Sequence, residues 1–383
     1  MGWWQYSRPI PGVPATQTVR ATERVPGNPP LLPWPAGGEA AVGVVGIGQI
    51  ASAGGSAPLP IASVAKVLTA LTIVKDKPLS GESPGPPITI TADDVARYRS
   101  EAADGQSVVR VSEGQQVTER QALEGLLVPS GNNIADVLAR WDAGSLDAFL
   151  GKLAAEARTL GMKQTHFADA SGYSEQTVST ASDLLLAAEA LEADPVLSKI
   201  VAMPQADFPG VGTVYNVDYA LGRQGLDGIK TGSAPKAGAC FVFSAPATVA
   251  GRNVRIVGAV LGLPTLDDAF AAATSLIAKV ASGLVVVPVV SAAQPVGEYR
   301  APWGAHAGLI SSSDLKLVGW PGLILHRRLS ADPGHAGEPA QTVAGELDAW
   351  VGDGRSPDTV PVTTDAGLFP PGSLWRLTRY PPG

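Results

Sequence analysis

The feature that most constrains the fold is the segment of residues 61–75, which is apolar on nearly every side when drawn as a helix. Such a helix has no solvent face, so we expect it at the buried centre of a domain. Its first turn carries Ser63 and, three residues later, Lys66. Residues at this spacing are neighbours on a helix, so the amine can reach the hydroxyl. A desolvated lysine near a second cation has a lowered pKa and can deprotonate a serine that acts as a nucleophile.

A second short motif, Ser130, Gly131 and Asn132, lies in the break after Pro129 and before another helical pattern. A serine hydroxyl there can pass a proton between a base and a leaving nitrogen. An asparagine amide can donate to a substrate carbonyl and can also fix a lysine. Both roles would serve a nucleophilic serine nearby.

A third motif, Lys230, Thr231, Gly232 and Ser233, lies on a predicted strand. A cation and a hydroxyl can hold a carboxylate, and the glycine lets a substrate approach the backbone. The Ser233 N–H can complete an oxyanion hole beside Ser63, where the first helical turn offers free N–H groups. Each motif alone is common by chance, whereas the three in this order and context indicate one acyl-transfer site.

The composition argues against several other classes of protein. The 383 residues carry a net charge of -7 and no basic tract, so we expect no nucleic-acid partner. A single Cys240 and four scattered histidines predict neither a metal site nor a cofactor. A Gly46-x-Gly48 pair is followed by a turn instead of a helix, which rejects a dinucleotide fold. The apolar runs fall short of the roughly 20 residues that span a bilayer.

Pattern and composition predict three parts. Residues 1–36 are proline-rich and predict an extended leader. Residues 37–284 mix helical and strand patterns and carry the three motifs, and residues 285–383 predict a small β-rich domain. Periodicity predicts a hairpin near 40–54, short strands over 88–90 and 108–111, strands over 227–245 and 253–263 that pair antiparallel, and helices over 118–128, 132–140, 146–160, 181–193 and 266–280.

Together the motifs resemble those of the low-molecular-mass penicillin-binding proteins that are serine D-alanyl-D-alanine carboxypeptidases. The resemblance covers roughly residues 38–284. It extends to the segments 126–133, 160–167, 179–183 and 227–240, and to Gly172. The Ala-Gly-x-Cys continuation of the last segment is more similar to the carboxypeptidases than to the β-lactamases.

The resemblance implies an α/β (α+β) fold of the β-lactamase/transpeptidase type. Its catalytic domain would be an antiparallel sheet flanked by helices, with a helical subdomain that carries the second motif, followed by a small β-rich C-terminal domain. Ser63 would attack the carbonyl between the two D-alanines that end a peptidoglycan stem peptide, and water would release the acyl-enzyme. β-Lactam antibiotics, which mimic that end, would acylate the same serine.

The resemblance also implies a role for each motif residue. Lys66 would be the base and Ser130 the proton shuttle toward the leaving amine. Asn132 would bind a substrate amide and orient the lysine, and Lys230 with Thr231 would hold the terminal carboxylate. No cofactor is implied. Two departures, Asn133 in place of an acidic residue and Ser233 in place of His or Tyr, leave every required side chain present.

Two alternatives stay open. A β-lactamase-like hydrolase would need an efficient deacylating base between the second and third motifs, where Glu175 is the only plausible candidate. A non-catalytic sensor of β-lactams or cell wall would use the motifs for binding alone.

The implied substrate lies outside the cytoplasm, so we expect an extracytoplasmic protein on the cell-wall side of the membrane. The start of the sequence lacks the basic and apolar regions of a signal peptide. Residues 374–383 are too short and too proline-terminated for an interfacial helix. We therefore expect contact with a membrane only through a removed N-terminal segment.

Overall fold

The computed structural model describes residues 2–354 and 357–379. Two compact units divide the chain, one of residues 31–282 and one that combines residues 1–30 with 283–383. The strands, numbered along the chain, are β1 Ala15–Gln17, β2 Thr22–Arg24, β3 Glu39–Val44, β4 Gly48–Ala53, β5 Leu59–Pro60, β6 Pro87–Thr89, β7 Gln116–Thr118, β8 Val178–Ser179, β9 Gln205–Phe208, β10 Gly212–Tyr215, β11 Gly228–Ala234, β12 Gly238–Val249, β13 Arg252–Leu263, β14 Val285–Val290, β15 Pro295–Arg300, β16 His306–Ser311, β17 Leu315–Gly319, β18 Ile324–Ala331, β19 Val343–Val351 and β20 Asp358–Thr364. The helices are α1 Gly2–Ser7, α2 Lys66–Asp76, α3 Ala92–Ala103, α4 Glu119–Leu127, α5 Asn132–Ala143, α6 Leu146–Leu160, α7 Ala181–Ala193, α8 Pro195–Val201, α9 Leu266–Gly283 and α10 Ser373–Thr378, with short 3₁₀ turns at Ala62–Ala65 and Arg223–Gly225.

The unit of residues 31–282 is built on an antiparallel sheet with the strand order β11–β12–β13–β3–β4. Helix α7 packs against β3 and β13. The predicted hairpin near residue 40 is strands β3 and β4. The segment 227–245 was predicted as one strand and is instead two, because the chain turns between Ala234 and Gly238, where φ at the glycine is 62°. The pairing of its second half with the segment 253–263 is as predicted.

The apolar helix of residues 61–75 lies at the centre of this unit, as the sequence predicts. Every residue of α2 from Lys66 to Val74 is buried, and the helix packs against α4, α5, α6 and α7. Its first turn is a 3₁₀ turn, entered through Ala62 in the left-handed region at φ 47°. The turn that carries Ser63 is therefore tighter than the α-helical turn that the sequence predicts.

Helices α3 to α6 form the predicted helical subdomain, but α3 itself is missing from the sequence prediction. Its only fully buried residue is Asp94, and the apolar side that packs on the core consists of the partly buried Val95 and Tyr98, a stripe too short to indicate a helix. A capping box between Thr91 and Asp94 marks its start. The strand predicted over 108–111 is also wrong, because the Val109 backbone bonds to the Asn133 side chain and not to another strand.

In the other unit a sheet has the strand order β1–β15–β16–β20–β19–β18–β2, and β14 pairs with β17. The leader predicted for residues 1–36 is thus partly structured, since β1 and β2 form the two edges of this sheet. Prolines are tolerated beside edge strands, where an N–H faces solvent, so the proline-rich composition hid these strands. The β-rich character predicted for the C-terminal part is confirmed.

The segment 374–383 falls partly outside the described residues, which end at Arg379. The six-residue helix α10 begins one residue before this segment, at Ser373, and ends at Thr378. Among the residues that the structure describes, no helix combines the length and the apolar character needed to cross a bilayer.

Candidate active site

Strand β11 and the 3₁₀ turn that begins the central helix meet at the predicted site. A Cβ added to Gly232 would lie 2.9 Å from the amide nitrogen of Ser63 and 3.1 Å from that of Val64. Only a glycine lets the two backbones approach this closely. The sequence assigned Gly232 to substrate access, and its packing against the turn that carries the half-buried Ser63 is a second requirement.

The fully buried Lys66 is held by three oxygen atoms. Its Nζ lies 2.9 Å from Ser63 Oγ, 2.6 Å from Asn132 Oδ1 and 2.9 Å from the carbonyl oxygen of Ser171. The amide oxygen and the carbonyl oxygen can only accept, so they take two N–H bonds of the lysine. In the neutral amine, the lone pair is left for the Ser63 hydroxyl to donate to.

The charged groups around Lys66 have opposite effects on its pKa. Burial, and then the positive charge of Lys230, hold the pKa of Lys66 well below its ordinary 10.5, while the carboxylates of Asp169, Glu101 and Asp136 act to raise it. Burial also lowers the pKa of Lys230 to about 7. The amine of Lys66 can therefore be neutral at a pH where an exposed lysine is charged.

The second motif is brought to the same place by the start of α5. Ser130 is buried and has φ 65°, in the left-handed region that non-glycine residues rarely adopt. Such strained positions cluster at active sites. Asn132 is the first residue of α5, and its Nδ2 donates to Gln106 Oε1 at 2.7 Å. Gln106 thereby fixes which way the amide points, so that its oxygen faces Lys66.

The third motif runs outward along β11. Lys230 and Thr231 are buried, whereas Ser233 is exposed. The Lys230 amine donates to the Thr231 carbonyl oxygen at 3.0 Å. Asp218 is the nearby counter-charge: burial raises its pKa to about 6, and Lys230 acts against that rise. Sequence reasoning missed Asp218, because nothing in its local pattern links it to the motif.

A loop of residues 169–177, here called the Asp169 loop, was also missed. It supplies the Ser171 carbonyl that binds Lys66. Gly172 has φ 81°, and a Cβ there would lie 1.8 Å from the carbonyl oxygen of Ala62, so the loop presses on the turn that carries the serine. A backbone carbonyl leaves no signature in a sequence, although the conspicuous Gly172 marks a close approach.

Asn133 and Glu175, which the sequence left open, have structural partners. The Asn133 side chain accepts from the Val109 amide at 2.9 Å and donates to the Val109 carbonyl at 2.8 Å, so it holds the segment after Gln106 in place. The half-exposed Glu175 carboxylate lies 2.6 Å from Lys236 Nζ in an ion pair.

A known protein family matches the part of the chain that carries the three motifs, and known relatives match the chain as well. A family model described as D-alanyl-D-alanine carboxypeptidase matches residues 48–265, which include all three motifs. The chain belongs to the D-alanyl-D-alanine carboxypeptidase family. Its identity to the D-alanyl-D-alanine carboxypeptidase DacB2 of Mycobacterium tuberculosis is 37% over 193 residues, or 49% of this chain and 62% of that protein. Identity to DacA of Escherichia coli K12 is 33% over 167 residues, 41% of this chain and 39% of that protein. The chain thus spans less than two thirds of these relatives.

Solved structures establish the fold of this carboxypeptidase-family chain. A peptidoglycan synthesis regulatory factor (PBP3) from Streptococcus pneumoniae superposes with a TM-score of 0.66 at 22% identity, over 87% of this chain and 99% of that one. The Streptomyces K15 DD-transpeptidase superposes with a TM-score of 0.56 at 25% identity, over 65% of this chain and 98% of that one. The predicted transpeptidase-type fold with a C-terminal β domain is confirmed.

Proposed function

We propose that this protein is a serine-type D-Ala-D-Ala carboxypeptidase that removes the terminal D-alanine from peptidoglycan stem peptides. The observation that carries the proposal is the contact of the buried Lys66 amine with Ser63 Oγ at 2.9 Å. The other two oxygens around Lys66 accept hydrogen bonds, so a neutral amine would offer its lone pair to the serine alone.

In the proposed reaction, Ser63 Oγ attacks the carbonyl carbon between the two D-alanines while its proton passes to Lys66 Nζ. The backbone N–H groups of Ser63 and Ser233 would stabilise the oxyanion. The tetrahedral intermediate collapses by breaking the C–N bond. The proton then moves from Lys66 through the Ser130 hydroxyl to the leaving nitrogen, and D-alanine departs with its amine restored.

The acyl-enzyme ester that remains is hydrolysed by one water molecule, which regenerates Ser63 and releases the shortened stem. In this proposal Asn132 binds an amide of the stem and keeps Lys66 oriented. Lys230 and Thr231 bind the carboxylate of the terminal D-alanine. β-Lactams would acylate Ser63 by the same attack, and the substrate would place the protein outside the cytoplasm, on the cell-wall side of the membrane.

The ion pair between Glu175 and Lys236 favours the carboxypeptidase over the β-lactamase-like alternative. A deacylating glutamate must reach a water molecule at the acyl carbonyl. The Glu175 carboxylate is instead engaged by Lys236 at 2.6 Å, with half of its side chain exposed. The sensor alternative is left to the turnover experiment, because a protein that only binds would acylate and release no D-alanine.

The test uses the full chain and two substrates. A fluorescent penicillin should label the parent protein covalently, and Ser63→Ala should abolish the label. A pentapeptide stem that ends in D-Ala-D-Ala should yield free D-alanine, which a D-amino-acid oxidase assay measures. Equal labelling of Ser63→Ala would refute the nucleophile. Labelling without release of D-alanine would support the sensor.

A further inference from the structure

One carboxylate organises the whole Asp169 loop. Asp169 Oδ2 accepts from the Ser171 hydroxyl at 2.8 Å and from the Tyr173 and Ser174 amides at 2.8 and 3.3 Å. Its Oδ1 accepts from the Thr177 hydroxyl at 2.5 Å. An ionised carboxylate has two acceptor oxygens and no donor, so it fits this ring of donors as no amide could.

The Asp169 loop contacts both the central helix α2 and the 3₁₀ turn that precedes it. The Ser171 carbonyl accepts from Lys66 at 2.9 Å, and the Ala170 carbonyl accepts from the Thr69 hydroxyl at 2.7 Å. Gly172 packs on the Ala62 carbonyl. The contact at Ala62 precedes Ser63 in the chain, and the contact at Thr69 follows Lys66. A change in the loop would therefore move an acceptor of Lys66 directly.

Asp169 also acts on Lys66 through its charge. Its carboxylate raises the pKa of the lysine, against the lowering caused by burial and by Lys230. Two further carboxyl groups face the lysine from the helices of the subdomain, Glu101 of α3 and Asp136 of α5, and act in the same direction. Burial raises the pKa of Glu101 to about 7, so its own charge is incomplete at neutral pH.

We propose that Asp169 is a positioning residue of the acylation reaction, which fixes the Ser171 carbonyl against Lys66 and sets the charge that the base experiences. The proposal rests on the proposed function, in which Lys66 is the base. Asp169 acts through the loop and the lysine and makes no contact with substrate in this scheme.

Asp169→Asn tests the proposal, because it keeps the shape and removes the charge and one acceptor oxygen. The matched control is Asp194→Asn, which alters a carboxylate that caps α8 by accepting from two amides at 2.9 Å. The rate of acylation by a fluorescent penicillin is measured from pH 5 to pH 10. We expect the maximal rate of Asp169→Asn to fall about 10-fold or more, since misplacement by about 1 Å costs up to about 100-fold. We expect its half-maximal pH to move lower, because a negative charge near the lysine is lost.

The outcomes separate the proposal from its premise. A parent protein that is not labelled refutes the proposed function and leaves the loop irrelevant to it. A lower amount of folded Asp169→Asn protein with the parent's rate and half-maximal pH assigns Asp169 to stability alone and overturns the proposal. Asp194→Asn should keep both kinetic values.

If Asp169→Asn does not fold, Ser171→Ala decides. This variant retains the Asp169 charge and the residue 171 carbonyl. It removes the hydroxyl that donates to Asp169 Oδ2 at 2.8 Å and accepts from the Tyr173 amide at 3.3 Å, although that amide keeps its bond to Asp169. We expect its maximal acylation rate to fall about 2- to 10-fold, the range that corresponds to one hydrogen bond, with the half-maximal pH unchanged. Acylation at the parent rate would overturn the proposal.

Discussion

Replacing Gly232 by alanine tests the contact on which the site geometry depends. The new Cβ would lie 2.9 Å from the Ser63 amide nitrogen and 3.1 Å from the Ile61 carbonyl oxygen, where ordinary contact begins at 3.4 Å. These are backbone atoms that cannot rotate away, so the strand and the turn must separate. The φ of Gly232 lies outside the left-handed region, so the clash acts without added backbone strain.

The expected magnitudes follow from this separation. Overpacking a close contact of this kind costs about 1–3 kcal/mol of unfolding free energy. The Ser63 amide and hydroxyl move with the turn, and a shift approaching 1 Å lowers the rate of a positioned reaction by up to about 100-fold. We therefore expect Gly232→Ala to fold, to melt a few degrees lower, and to be acylated by penicillin about 10- to 100-fold more slowly.

The assay compares the acylation rate and the melting temperature with those of Gly151→Ala. Gly151 lies within α6 and has no atom within 4 Å of an added Cβ, so its replacement adds helix propensity worth up to about 1 kcal/mol. That control should melt at the parent temperature or above and keep the parent acylation rate. Acylation of Gly232→Ala at the parent rate would show that the approach of β11 does not hold the serine.

Two further predictions concern titrating groups. Lys66→Arg should slow acylation by about 100- to 10,000-fold at every pH, because a guanidinium stays protonated, whereas the parent rate should rise with pH and level off below pH 10.5. An arginine variant with a parent-like rate would exclude Lys66 as the base. Burial raises the pKa of Glu119 to about 7, so the folded state binds an extra proton and loses stability as pH rises from about 4.5 to 7. Glu119→Gln should therefore raise the melting temperature more at pH 8 than at pH 5. Equal shifts at the two pH values would contradict the assignment.

Elements with strong end signals could be predicted from the sequence to the residue. Helix α6 has the predicted bounds, since Ser145 caps its first turn by accepting from the Ala148 amide and Gly161 ends it in a left-handed conformation. Helix α3 could not, because only Val95 and Tyr98 mark the side that packs on the core. Strands β1 and β2 have three residues each at sheet edges, too few for a period-2 pattern to stand out.

Some groups of the candidate site could be predicted from the sequence, and others could not. Side chains whose chemistry requires a residue type, such as Ser63, Lys66 and Asn132, were identified from spacing and family resemblance. The Ser171 carbonyl could not be, because any residue provides one, and its position depends on how a loop 105 residues away in sequence folds back. Asp169 is a residue type that also favours ordinary turns, so its pattern alone cannot separate the two roles.

The edge strands β1 and β2 can pair only after strands much later in the chain have been synthesised. Both are made before residues 31–282, yet their partners β15 and β18 come after them. During vectorial synthesis or export, these early segments stay unpaired until β15 (Pro295–Arg300) and β18 (Ile324–Ala331) have emerged. A truncation that removes β15 and β18 but keeps β1 and β2 would leave the backbone N–H and C=O groups of β1 and β2 unpaired. Such groups promote association between copies of the chain. An excised catalytic fragment should therefore omit both ends of the chain together.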